Sequence, residues 1–192
     1  MEATMALVRQ RGFAATSVDD LCRQAGVTKG AFFHHFASKE ELAVEAARHW
    51  DEMTSAFFAA QGYRQLDDPL ERVLGYIDFR REILAGEVSE FTCLAGTMVQ
   101  EAYQSAPAIR DACDVTISKH AAVIEQDIQA AIQAYGIEPD GWDAASLALH
   151  TQAVLQGAFI LAKAKGGPEV AVQSVDHLKR YVSLLFKKGV PS

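Results

Sequence analysis

Lys29 and Lys39 flank a short stretch that also holds Thr28, Phe33 and His34, with Ser17 a little upstream. Such side chains can address a phosphate or a base edge: an ammonium as a point charge, a hydroxyl as a donor, an imidazole as either donor or acceptor. Gly30 and Ala31 lie between Thr28 and His34 and are small enough to let the backbone approach a groove closely. The chemistry is recognition rather than bond making. The sequence offers no nucleophile–base spacing, phosphate loop or metal motif, which argues against an enzyme, and no cofactor or metal is expected.

Helices and a turn must position these groups. Ser17 has the chemistry of an N-cap, and Asp19 and Asp20 follow where negative charge suits the positive helix end. Val18, Leu21, Cys22 and Ala25 recur at helical spacing and predict one apolar face. Gly26 then stops that helix, because glycine takes the left-handed C′ conformation at little cost. Thr28 caps a second helix whose inner pair is Phe32 and Phe36, while His35 is split between packing and an outward role. Helix, glycine turn, helix is the layout of a helix-turn-helix, whose second helix can enter the major groove of DNA.

Five pieces stand in order along the first quarter of the chain: Gly12-Phe13, Thr16-Ser17-Val18, Ala25-Gly26-Val27-Thr28-Lys29-Gly30, Phe32-Phe33-His34-His35-Phe36 and Ser38-Lys39-Glu40-Glu41-Leu42. With that order and spacing the segment resembles the DNA-binding domain of the TetR family of bacterial transcriptional regulators. The resemblance implies a phosphate contact at Ser17, Phe33 and Lys39, and base or backbone contact at Thr28, Lys29 and His34. Phe33 departs from the family pattern, which most often has tyrosine there, so its role shrinks to packing or to contact with a sugar or a thymine methyl. Met1 aligns within the first turn of the first helix, and weaker DNA affinity is expected than in a relative with a basic arm ahead of it.

The resemblance also implies a larger second domain that binds a small effector and forms a homodimer through its last two helices. The implied function is a ligand-responsive repressor on a pseudo-palindromic double-stranded DNA operator, released by a small molecule not identifiable from sequence. A transcriptional activator, or a DNA-binding protein without a ligand, is the alternative.

A net charge of −7 sits oddly with DNA binding until it is divided along the chain. Residues 1–50 carry six basic and six acidic side chains, so the rest of the chain holds the whole excess. A neutral domain can bind DNA if its cations share one face. Cys22, Cys93 and Cys113 are scattered, and reduced thiols are expected. No secretory signal is evident, and Ser146, His150, Thr151, Gln152 and Gln156 interrupt the apolar stretch 144–164. That stretch reads as a buried helix rather than a membrane span, and a cytoplasmic location is expected.

Periodicity predicts an all-α chain of nine helices, three over 1–46 and six over 47–192; the resemblance makes the first a helix-turn-helix domain and the second an effector-binding and dimerisation domain. A helix over 39–60 joins them, followed by helices near 69–84, 93–104, 107–134, 141–165 and 168–187, with Pro168 at the first position of the last. Val175, Leu178, Val182 and Leu185 have the spacing of a packed helix seam and are expected, with Leu155 and Phe159, at the dimer interface. Candidate effector contacts are Tyr76, Phe79, Met98, Tyr103, His120, Ile124 and His150, with Phe57 and Gln152 nearby in the pattern.

Overall fold

Ser17 caps its helix as its hydroxyl chemistry requires. Its Oγ accepts the Asp20 amide at 3.1 Å, and the Asp20 carboxylate accepts the Ser17 amide in return at 3.1 Å. The reciprocal pair satisfies two amides that a helix start leaves orphaned. Asp143 and Ser146 repeat the device at the start of a later helix. Asp68 caps another, accepting from the Leu70 and Glu71 amides with Pro69 in the first position.

In the computed structural model, which describes residues 1–187, these caps open helices of an all-α chain with no strand among the described residues. The helices are α1 (Glu2–Arg11), α2 (Val18–Ala25), α3 (Lys29–His35), α4 (Lys39–Ala59), α5 (Pro69–Glu82), α6 (Val88–Phe91), α7 (Leu94–Ala102), α8 (Pro107–Ala134), α9 (Ala144–Lys165) and α10 (Glu169–Lys187). The expected nine helices are thus ten among the described residues, with a 3₁₀ turn over Gly62–Gln65 besides. The additional helix, α6, is a single turn, too short to leave a periodic signature. Pro168 lies just outside α10, where its carbonyl accepts the Val172 amide at 2.9 Å.

The chain forms two compact units that do not follow chain order. The first comprises Met1–Ala56 and Thr92–Ile117; the second comprises Phe57–Phe91 and the described chain from Ser118 onward. The first packing unit is therefore larger than the 1–46 segment that the sequence sets apart. Its main core joins Met5, Val8 and Phe13 to Ala43, Ala46 and Ala47, and both to Leu94, Met98, Ile109 and Cys113. Burial pushes the Cys113 thiol up to about 12, the mark of an inert core thiol. A smaller cluster of Leu7, Leu21, Cys22, Phe32 and Leu42 lies under the helix-turn-helix. Ala25, expected on the inner face, is exposed at the last turn of α2.

In the second unit α10 packs against both α5 and α9. Asp127 takes both Arg64 and Arg72, Asp176 takes Arg81, and Asp78 takes Lys179. Gly75 sits inside α5 because a Cβ there would come within 2.7 Å of the Tyr63 Cβ on the 3₁₀ turn. Helix α9 is long and apolar enough to cross a membrane by length and composition, but 44% of its apolar window is buried within the structure. Thr151 and Gln152 are buried on it with hydrogen-bond partners, which fits a core helix.

The seam of α10 faces inward. Val175, Leu178 and Val182 on α10, and Leu155 and Phe159 on α9, are at most 4% exposed within their own subunit. These five were expected at the dimer interface; here they pack within their own subunit. A seam spacing serves an intramolecular contact as well as an intermolecular one, and here α5 and α9 take the stripe. Leu185 is half-buried.

Candidate nucleic-acid interface and aromatic cluster

Gly26 adopts φ 67° and ψ 30°, the left-handed turn that separates α2 from α3. Its amide and that of Val27 close onto carbonyls at the end of α2, including Val27 to Cys22 at 3.0 Å. Thr28 then caps α3, its hydroxyl oxygen accepting the Ala31 amide at 3.1 Å. One aromatic of α3 anchors it: Phe32 is 6% exposed and packs against Phe36, ring centroids 5.7 Å apart. The opposite face is open. Thr28, Lys29, Gly30, Ala31, Phe33, His34 and His35 are all exposed, Phe33 at 54%. His35 thus turns outward, and its ring meets that of His34 edge-on at 5.1 Å.

Two of the expected contact residues have partners of their own. Lys29 pairs with Asp19 across the turn at 2.7 Å, and the hydrogen bond to that carboxylate raises its pKa above the ordinary lysine value. A phosphate has to compete with Asp19 for it. Lys39 opens α4 and donates from Nζ to the carbonyls of Phe13 at 3.0 Å and Thr16 at 3.1 Å, with Nζ 4.2 Å from the Phe13 ring centroid. It clamps the α1–α2 loop, and two of its three donors are engaged. The same loop is held by Glu101, which accepts the Ala14 amide at 2.6 Å, and by Thr16, whose hydroxyl donates to the Gly12 carbonyl at 2.7 Å. Nothing local in the sequence pointed to Glu101, which comes from α7. Ser17 is engaged with Asp20. The geometry gives an exposed helix face, small at its start, with a lysine, two imidazoles and an aromatic edge on a fixed base.

The expected effector residues divide. Tyr76, Phe79, His120 and Gln152 converge in the second unit. The Tyr76 hydroxyl and His120 Nε2 are 2.9 Å apart, and the Gln152 amide donates to the Tyr76 hydroxyl at 3.4 Å. Phe58 lies at the centre, its ring 4.8 Å from His120, 5.9 Å from Tyr76 and 5.7 Å from Phe79. Tyr63 joins at 6.0 Å from both Tyr76 and Phe79, and burial pushes its hydroxyl up to about 12. Phe57 forms an open edge, 46% exposed and 5.4 Å from Phe79. Ile124 is buried in the same unit.

Three residues do not join them. Met98 is fully buried in the core of the first unit, and Tyr103 is a surface residue of that unit at 52% exposure. His150 is exposed on α9, its ring 5.3 Å from Tyr181 on α10. Phe58 and Tyr63 lie in this cluster without having been expected there. Phe58 follows Phe57 on α4, but sequence alone does not say which of two adjacent aromatics turns inward.

The family model described as bacterial regulatory proteins, tetR family, matches residues 1–46, and that described as tetracyclin repressor-like, C-terminal domain, matches residues 69–178. The HTH-type transcriptional repressor KstR2 of Mycobacterium tuberculosis is 38% identical over 79 residues, 39% of this chain. The match spans only 37% of that relative's length. A TetR transcriptional regulator from Chloroflexus aurantiacus aligns with a TM-score of 0.80 at 25% identity, over 94% of this chain and 90% of its own. A cysteine mutant of the TetR family regulator CifR, complexed with 26-bp double-strand operator DNA, shares the fold with a TM-score of 0.77 at 18% identity, over 93% of this chain and 92% of its own.

Proposed function

This chain belongs to the TetR family of bacterial regulatory proteins and is a DNA-binding transcriptional regulator, and from that premise we propose that it is a repressor that leaves its operator when a small effector enters the second unit. The observation that carries the DNA-reading part is the outer face of α3. Lys29, Phe33, His34 and His35 point away from the core while Phe32 holds the helix to it. Lys29 and the Lys39 donor left over from its loop contacts serve phosphates, Ser17 and Thr28 line the approach, and His34 reads a base edge. Phe33 supplies an apolar contact to a sugar or a thymine methyl.

The active species is a homodimer. Its support is the exposed apolar stripe left on the last two helices after the seam is buried: Leu149 and Ile160 on α9, Tyr181 and Leu184 on α10, each 43% exposed or more. Two copies of α3 then meet half-sites about one helical turn apart, ~34–36 Å. The effector enters at the Tyr76–His120–Gln152 line, where a few placed polar groups sit among aromatic rings. Release is a population shift, and it requires the effector to prefer the conformation that fits DNA less well.

Selection from a random duplex library tests the reading. The expected product is a pseudo-palindrome bound by a dimer, with selection lost when Leu184→Lys makes the protein monomeric. Recovery of duplexes with no common sequence would refute it.

A further inference from the structure

Helix α5 carries three arginines, and two of them have carboxylates. Arg72 donates to Asp127 and Arg81 to Asp176, each at 2.8 Å. Arg80 differs. Its guanidinium lies over the rings of Phe58 and Phe159, 5.1 Å and 5.5 Å from their centroids, and its Nε is buried without a hydrogen-bond partner. Arginine stays charged at any ordinary pH, so the group cannot escape by losing its proton. Two ring faces attract the cation but leave the Nε–H donor unspent, and a buried unspent donor is costly.

The unspent donor sits where an effector site was placed on other grounds. Phe58, the ring under Arg80, is also the ring against His120, Tyr76 and Phe79. The polar groups there are a phenol, an imidazole and an amide, all able to bond a neutral ligand group, and the Phe57 edge is open to solvent. We propose that this site takes a carboxylate carried on a flat apolar molecule, and that Arg80 receives the carboxylate. Nε and one terminal nitrogen form the side-on fork that matches two carboxylate oxygens. The apolar body lies among Phe58 and Phe79, and the Tyr76–His120–Gln152 line meets any second polar group. The inference rests on the effector-site reading and adds the chemical class of the ligand.

Calorimetric titration of the full chain tests it, with benzoate, 2-naphthoate and 4-phenylbutyrate each set against its own neutral amide. Inorganic phosphate at matched ionic strength controls for any anion. The expected result is that at least one acid binds about tenfold or more tightly than its amide, that Arg80→Met removes this preference, and that Arg80→Lys keeps only part of it. Without ligand, Arg80→Met is expected to raise Tm, because it removes a buried unsatisfied donor while keeping apolar volume. Equal binding of every acid and its amide, binding of phosphate as tight as that of the best acid, or a lowered Tm in Arg80→Met would overturn the proposal. Operator affinity of the unmodified protein with and without the acid is read separately. An acid that binds through Arg80 but leaves the operator bound would refute the release mechanism and leave the carboxylate site standing.

Discussion

The two units use their polar side chains in opposite ways. Around α3 two lysines are already engaged, exposed Lys29 by Asp19 and half-buried Lys39 by two backbone carbonyls. Around Phe58 a cation is half-buried between rings with a donor unspent. The first arrangement suits a partner that brings many phosphates and displaces weak surface pairs by sheer charge. The second suits one small partner that brings a single matched group. A surface ion pair is worth little and is easily exchanged, whereas a buried unpaired donor favours whatever satisfies it.

The largest effect is expected within α3, where Phe32 is buried and adjacent Phe33 is exposed. Phe32→Ala should cost about 3–5 kcal/mol of stability, the range for truncating a buried aromatic. Phe33→Ala should leave the thermal unfolding curve near that of the unmodified protein while weakening DNA binding. Equal losses of stability would mean that α3 has no distinct outer face. In the second unit Gly75→Ala should destabilise by about 1–3 kcal/mol, because its methyl overlaps Tyr63 and forces the 3₁₀ turn off α5. Urea unfolding measures it, and a neutral or stabilising result would show that the turn is free to move.

The local parts of this design were legible in sequence. Ser17, Gly26 and Thr28 act within a few residues of themselves, so side-chain chemistry alone predicts their caps and turn. The inner role of Phe32 also followed from spacing. What was not legible depends on residues far apart in the chain. Met98 and Tyr103 belong to the first unit because α7 packs on α1, which no boundary drawn along the chain anticipates. The seam on α10 was visible, but its partner was not, since the same period serves α5 and α9 as well as a second subunit. Arg80 gave no signal, because its significance lies in lacking the carboxylate that its helix neighbours Arg72 and Arg81 possess.

Asp19→Asn frees Lys29 and removes a negative charge near the phosphates, so DNA affinity should rise roughly two- to fivefold at low salt and less at high salt. Unchanged affinity by fluorescence anisotropy would place Lys29 outside the interface. Acid should weaken both units through their caps. The Ser17 hydroxyl and amide hold the Asp20 carboxyl below the ordinary 3.8, and the Tyr135 hydroxyl does the same for Asp68. A lowered folded pKa gives stability that is present above the ordinary value and lost as pH falls through the lower folded one. Tm should therefore be insensitive to these two groups above about pH 4 and fall below it. The fall should be shallower in Asp20→Asn with Asp68→Asn, and an identical acid profile in that double variant would remove the caps from the explanation.

If the exposed face of α3 reads DNA, a salt titration of binding to the selected duplex will show it. Lys29→Ala should lower affinity on all duplexes alike and reduce the slope of log affinity against log salt by about 1, as the loss of one phosphate contact requires. His34→Ala should keep the slope and narrow the preference for the selected duplex over a scrambled one. Both variants binding both duplexes with the affinity and slope of the unmodified protein would rule out α3 as the reading face.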